Sequence, residues 1–168
     1  GDGDPATPFP FVIEGQPPAR ARAEALAGAL GCPALRLPAG GKVRYHAAAV
    51  MASNLLLGLA HAAERQMVAA GIAPEALPAA LLPLMRSTLD NLERHGAVGA
   101  LTGPVARGDP GALRRHLEAL ADDPAAREAY RSLSQELVDA LGGDLAAALT
   151  ESLRKDCGET VPCYNDRD

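Results

Sequence analysis

The sequence predicts a mainly α-helical fold preceded by a small strand–helix–strand unit. Alanine and leucine are the most frequent apolar residues, tryptophan is absent, and only 3% of the residues are aromatic. Alanine is the best helix former, and small side chains let packed helices approach closely. Glycine and proline also separate long stretches whose apolar residues have helical spacing, which sets the limits of the helices.

The N-terminal part of the chain predicts a strand, a helix and a second strand. A short apolar run with β-branched residues at 9–14 predicts the first strand. A Pro-Pro pair introduces a helix over about 19–30, which Gly31 ends. Residues 34–37 predict the second strand. Because two strands do not make a stable sheet alone, we expect the pair to be the edge of a larger sheet.

Two long helices are predicted next. Residues 42–70 form one long apolar stretch without a helix-breaking residue and predict a single uninterrupted helix. Residues 74–95 predict a second helix, bent at Pro83 and ended by Gly96. Residues 97–109 then predict a loop rich in glycine and proline.

Shorter helices are predicted towards the C-terminus. Asp109-Pro110 and Asp123-Pro124 each place a side-chain acceptor before a proline at the first helical position. The predicted helices span 110–121, 124–141 and 144–155.

These elements suggest a division into three parts. We assign 1–40 to the strand–helix–strand unit, 41–156 to a helical domain and 157–168 to a polar tail. The three cysteines have no metal-type spacing, and reduced thiols are expected. A local disulfide between Cys157 and Cys163 is the alternative.

The charge pattern argues against several classes of partner. The net charge is −5 and no Lys/Arg face is clustered, so nucleic acid is not an expected partner. We find no stretch of about 18 uncharged apolar residues, so no membrane span is expected. The acidic N-terminus excludes a signal peptide on this chain, and we expect a cytoplasmic protein.

Polar residues in the first half of 42–70 form the first candidate site. At about 100° per residue, Lys42, His46 and Ser53 fall within about 40° of one another, and Asn54 lies beside that arc. Polar groups buried in so apolar a helix need a partner or a cavity. The alternative is that Lys42 and His46 occupy exposed first turns and that Asn54 bonds a neighbouring backbone group.

The second candidate lies between 100 and 109. Asp109 should cap the next helix, and a helix N-terminus beside Arg107 can bind an anion. The histidines outside the first candidate have no ligand spacing, so no metal site is expected. The sequence has no phosphate-binding loop, and no G-x-G-x-x-G follows a strand, so this chain alone should bind neither NADH nor NADPH appreciably.

The segments just described resemble a known family when taken together. They are 42–54, Pro83-Leu84, Asn91 and 100–109, and the resemblance covers about residues 9 to 140. It is to a bacterial family of oxidoreductase-like proteins that pair a Rossmann-like NAD(P)-binding domain with a helical domain of unknown function. That helical domain is similar to the C-terminal domain of 6-phosphogluconate dehydrogenase and to ketopantoate reductase.

The resemblance implies a fold and a site. The fold is a helical bundle like the 6-phosphogluconate dehydrogenase C-terminal domain, preceded by a strand–helix–strand remnant of a Rossmann-like domain. Lys42 would act as general acid/base beside the nicotinamide, and His46, one turn later, would orient the substrate. The residues expected to complete one substrate-binding cleft are Ser53, Asn54, Thr102, Arg107 and Asp109.

The predicted function is the substrate-binding and dimerisation domain of an NAD(P)-dependent oxidoreductase acting on a small carbonyl or hydroxy compound. NAD(P) is expected only for the full-length parent, whose nucleotide-binding half should precede residue 9. The apolar helix over 42–70 predicts a homodimer. The alternative function is a non-catalytic helical dimerisation or interaction module.

Overall fold

The computed structural model of the chain describes residues 9–154. These residues are mostly helical and include a two-stranded parallel sheet, so the predicted mainly helical class is confirmed. The chain divides into two compact units, residues 1–57 and 58–168. The limits proposed from the sequence, after residues 40 and 156, stay predictions.

The first unit begins with a strand, a helix and a second strand: β1 (Phe11–Ile13), α1 (Pro17–Ala29) and β2 (Ala34–Arg36). The two strands pair in parallel, with Phe11 opposite Ala34. Ile13 and Ala27 are buried where the helix packs on the strands. The predicted order of elements is confirmed, and the bounds differ by one or two residues.

The predicted uninterrupted helix over 42–70 is wrong at Ser53. Helix α2 spans Gly41–Ala52 and helix α3 spans Asn54–Ala69, while Ser53 has φ −126° and ψ −79°. The Ser53 hydroxyl donates a hydrogen bond to the Ala49 carbonyl oxygen at 2.6 Å. A serine that bonds the carbonyl four residues earlier often bends a helix.

Helix α3 leads into the elements of the second unit: a 3₁₀ turn (Pro74–Ala76), α4 (Leu77–Gly99), α5 (Gly103–Arg107), α6 (Pro110–Ala119), α7 (Pro124–Leu141) and α8 (Gly143–Arg154). The helix predicted from residue 74 therefore begins with a 3₁₀ turn. Gly96 has φ 69° and ψ 174°, which ends the regular part of α4 as predicted, and one further turn follows.

The predicted loop over 97–109 needs correction, because it contains α5. Gly103-Pro104 has the composition of a turn, yet a proline in the first turn of a helix is well tolerated. Gly108 ends α5 with φ +63°, and an added Cβ there would overlap the Leu145 side chain. This position therefore favours glycine for its backbone conformation, while the Leu145 side chain, which is 42% exposed, would have to move to admit a larger residue.

The two predicted Asp-Pro helix starts are confirmed. The Asp109 carboxylate accepts the Ala112 N–H at 2.9 Å, and the Asp123 carboxylate accepts the Ala126 N–H at 3.0 Å. Helix α7 has the predicted bounds, while α6 ends two residues early and α8 begins one residue early; its predicted end at residue 155 lies outside the described residues.

The core of the second unit lies among α5, α6, α7 and α8. Its buried residues are Val105, Leu113, Leu117, Val138, Leu149 and Leu153. The Ser152 hydroxyl donates to the Pro110 carbonyl oxygen at 2.9 Å, which joins α8 to the start of α6. These four helices therefore form the well-packed part of the unit.

By contrast, α2 and α3 contain no buried residue, and in α4 only Leu81 is buried. Large apolar side chains are exposed along all three helices, among them Val43, Met51, Leu57, Val68, Leu84 and Leu89. By length and composition alone, the 29 residues of 41–69 could cross a membrane, because an 18-residue window within them has a mean hydropathy of 1.3. This stretch has no charged residue between Arg44 and Glu64, although it includes polar ones.

Candidate functional site

The residues of the predicted site fall on both units. Those in the first unit are Lys42, His46, Ser53 and Asn54, and those in the second are Thr102, Arg107 and Asp109. The common cleft expected for them stays a prediction.

Lys42 and His46 lie one turn apart on α2, and both side chains are exposed. The prediction that Ser53 shares a helical face with Lys42 and His46 is wrong, because the helix breaks at Ser53. The Ser53 hydroxyl also lies 3.0 Å from Asn54 Oδ1, so these two residues form the junction of α2 and α3. Only Lys42 and His46 share a regular helical face.

Glu14 holds the start of the helix that carries Lys42. Its Oε1 accepts the Gly40 N–H at 2.7 Å, and its Oε2 accepts the Lys42 N–H at 2.9 Å. Gly40 has no side chain that could cap α2, and a carboxylate is favourable at the positive end of a helix. Glu14 was not predicted from the sequence. A helix that starts at Gly-Gly has no capping side chain of its own, which indicates that an acceptor for its first N–H groups must come from elsewhere in the chain.

The residues between 102 and 109 have mainly structural positions. Thr102 precedes α5 without a capping hydrogen bond from its side chain, and Arg107 is exposed in the last turn. The half-buried Asp109 caps α6 with its own carboxylate. The helix N-terminus that the sequence analysis assigned to an anion therefore already has a negative partner.

Residues 9–154 offer few groups to a metal. No three His, Cys, Asp or Glu side chains in this range cluster so that they could hold an ion. The half-buried Cys32 directs its Sγ at the Leu30 carbonyl oxygen, 3.6 Å away. Cys157 and Cys163, like the predicted tail over 157–168, lie outside the described residues.

A groove lies between α3, α6 and α7 in the second unit, and it was not predicted from the sequence. Its volume is about 600 Å³. Alanine side chains from all three helices form most of its walls, including Ala62, Ala63, Ala69, Ala119, Ala126 and Ala129. We call this feature the α3–α6–α7 groove.

A histidine–tyrosine pair lines this groove. His116 Nδ1 lies 2.8 Å from the Tyr130 hydroxyl, and the two rings meet edge to face at 79°. Burial raises the pKa of the Tyr130 phenol above its ordinary value of 10.0, and a hydrogen bond with Ser134 opposes that shift. The phenol is therefore protonated at neutral pH. His116 and Tyr130 each lie seven residues from Asp123 in the sequence. This equal spacing could have indicated that the turn between α6 and α7 brings them together.

Asp123 connects α3 to the start of α7 beside the groove. Its Oδ2 accepts hydrogen bonds from Arg65 Nη2 at 2.8 Å and from Gln66 Nε2 at 2.9 Å. Its Oδ1 accepts the Ala126 N–H. The Ala126 N–H, followed by Arg65, lowers the pKa of the Asp123 carboxyl below its ordinary value of 3.8. The sequence analysis assigned this residue only the capping role.

We expect Asp123→Asn to lower the melting temperature at neutral pH by less than Asp123→Ala does. Asparagine is nearly as good an N-cap as aspartate, but it loses the charge and the oxygen that accepts from Arg65 and Gln66. Alanine also loses the cap, which we expect to lower the melting temperature by roughly 3 °C. Because the folded-state pKa is lowered, the stabilising effect of the charge is present above pH 3.8 and is lost as the pH falls through the folded-state pKa. Scanning calorimetry against pH should show the wild type and Asp123→Asn converging in acid. A pH-independent difference would contradict this role of the charge.

The described residues define a class of protein: a mainly helical domain that starts with a parallel strand–helix–strand unit and has an exposed lysine–histidine turn. The comparison with protein-family models matches residues 9–137 to a domain of unknown function (DUF2520). The chain belongs to this family. Neither the comparison with curated proteins nor that with solved structures gave a match.

Proposed function

We propose that this chain is the substrate-binding and dimerisation domain of an NAD(P)-dependent oxidoreductase that acts on a small carbonyl or hydroxy compound. The observation that carries the proposal is the exposure of α2 and α3, which are apolar but have no buried residue. A helix that is hydrophobic on all sides is normally covered. A second protein surface would supply that cover.

The catalytic part of the proposal depends on Lys42 and His46. Glu14 fixes the start of α2, so the two side chains leave a well-defined helical turn. The proton-transfer role proposed for the lysine is based on the resemblance of the sequence to oxidoreductase-like proteins whose helical domain is similar to the C-terminal domain of 6-phosphogluconate dehydrogenase and to ketopantoate reductase. NAD(P), bound by a nucleotide-binding domain of the parent, would supply the hydride. Lys42 would give or take the proton at the substrate oxygen, and His46 would orient the substrate.

A second copy of the chain is a better cover for these helices than lipid. Charged residues stand near both ends of 41–69, and Ser53 breaks the helix near its centre. Exposed apolar side chains are also present outside that stretch, on α4, at Leu84 and Leu89. A two-fold contact with a second copy would cover exposed apolar side chains on each of these helices.

Light scattering of the purified chain should give twice the monomer mass of 17.3 kDa. Leu57→Arg and Leu89→Arg should each yield a monomer, because a buried unpaired guanidinium is costly in an apolar interface. The control is Leu26→Arg on α1, where the leucine is 54% exposed and lies outside the proposed interface; this variant should stay dimeric. A wild-type monomer at high micromolar concentration, or a chain recovered only in detergent, would refute the homodimer.

A further inference from the structure

We infer that the α3–α6–α7 groove binds an uncharged, largely apolar small molecule whose single oxygen hydrogen-bonds to the His116–Tyr130 pair. The groove belongs entirely to the second unit and contains neither Lys42 nor His46. The inference is therefore independent of the proposed oxidoreductase function.

The size and walls of the groove fit a small ligand. Its volume of about 600 Å³ lies within the usual range of ligand sites, about 300 to 1,000 Å³. Helices with alanine on their facing sides can pack closely, yet here the space between α3 and the α6–α7 pair stays open. An apolar molecule in that space would remove the alanine methyl groups from water, which is favourable.

Two sets of contacts join the helices that line the groove. The hydrogen bond between His116 and Tyr130 joins α6 to α7. Asp123 joins the start of α7 to Arg65 and Gln66 of α3. These contacts are present without a ligand, and a site whose helices are already joined loses less free energy in ordering itself on binding.

The polar groups of the groove select the chemical class of the ligand. Tyr130 lies about 10 Å along α7 from the capping Asp123, at 1.5 Å per residue. When the phenol donates to His116 Nδ1, the proton of the ring is on Nε2, which can donate to a carbonyl or hydroxyl oxygen. At the α6–α7 turn the groove is lined by Asp122, whose carboxylate would repel an anion. A ligand with an apolar body and one uncharged oxygen fits both the His116–Tyr130 pair and the end of the groove near Asp122.

Calorimetric titration of the full chain with 2-octanone and with octanoate tests this inference. We expect saturable binding of 2-octanone and at least tenfold weaker binding of octanoate. Ala129→Leu should abolish 2-octanone binding without lowering the melting temperature, because the leucine fills open space. His116→Phe should weaken binding roughly fivefold, because it keeps the ring and removes the donor. The matched control is Ala125→Leu, an exposed position of α7 outside the groove, which should bind like the wild type.

Several results would overturn the inference. Unsaturable 2-octanone binding, or equal affinity for octanoate, would remove the proposed ligand class. A lower melting temperature of Ala129→Leu would mean that the helices close the space in solution. Conversion of a dimer into a monomer by Ala129→Leu would identify the groove as a contact between subunits instead.

Discussion

Replacing Lys42 by methionine, in a chain that joins this domain to the proposed nucleotide-binding domain, should lower kcat at least about 100-fold. Methionine keeps much of the length of the side chain and removes the ammonium group, and general acid–base catalysis typically contributes about 10²- to 10⁴-fold. Steady-state oxidation of NADPH with the preferred carbonyl substrate measures kcat. The Kd for NADPH, measured by titration, should stay unchanged because Lys42 is proposed to act on the substrate.

Arg44→Met is the matched control for this variant. Arg44 is a second exposed cation on α2, two residues away, and has no proposed role in proton transfer. Its kcat should stay within about twofold of the wild type if the effect of Lys42 is chemical and not merely electrostatic. Equal losses in both variants would refute the general acid–base role. Unchanged rates in both would favour the non-catalytic dimerisation module.

The helices whose limits are set by local chemistry could be predicted from the sequence. Asp123-Pro124 and the glycine pair after Leu141 contain both end signals of α7, and its predicted bounds are those observed. The strand–helix–strand unit is also marked locally, by Gly31 and by the β-branched residues of β1. In these places the side chains that decide the backbone conformation are close in sequence.

The break at Ser53 and helix α5 could not be predicted in the same way. The apolar pattern of 42–70 continues through Ser53, and only the hydrogen bond of its hydroxyl to the Ala49 carbonyl oxygen accompanies the break. Gly103-Pro104 is compatible with a turn and with the first turn of a helix. Packing of Val105 into the core favours the helix, and that contact is not visible in the local sequence.

Part of the candidate site could likewise be predicted from the local sequence, and part of it depends on contacts between distant residues. The spacing of Lys42 and His46 is a property of one helix, and sequence alone indicated their shared face. The α3–α6–α7 groove depends on Asp123 meeting Arg65, which lies 58 residues earlier in the chain. The alanine residues that line the groove have the same spacing in the sequence as those of a close-packed helix surface. Their periodicity therefore could not distinguish a filled interface from an open groove.

Leu117→Ala should lower the free energy of unfolding by about 3 kcal/mol, because the truncation leaves a cavity in the core that the surrounding helices fill only in part. Leu117 is 0% exposed and packs with Leu113, Val138 and Leu149. Urea denaturation followed by circular dichroism measures the change. Leu133→Ala on α7, where the leucine is 44% exposed, is the control, and we expect a loss below about 1 kcal/mol.

The Leu117→Ala variant also distinguishes an effect on the core from an effect on the groove. Leu117 points into the core, whereas its neighbour His116 lines the groove, so Leu117→Ala should destabilise the helices without removing a group that contacts the ligand. The Leu117 carbonyl oxygen still accepts the Arg127 Nε–H at 3.1 Å, because the substitution leaves the backbone unchanged. The stability loss should therefore come from the missing apolar contacts. A loss no larger than that of Leu133→Ala would show that α6 does not lie at the centre of the helical core.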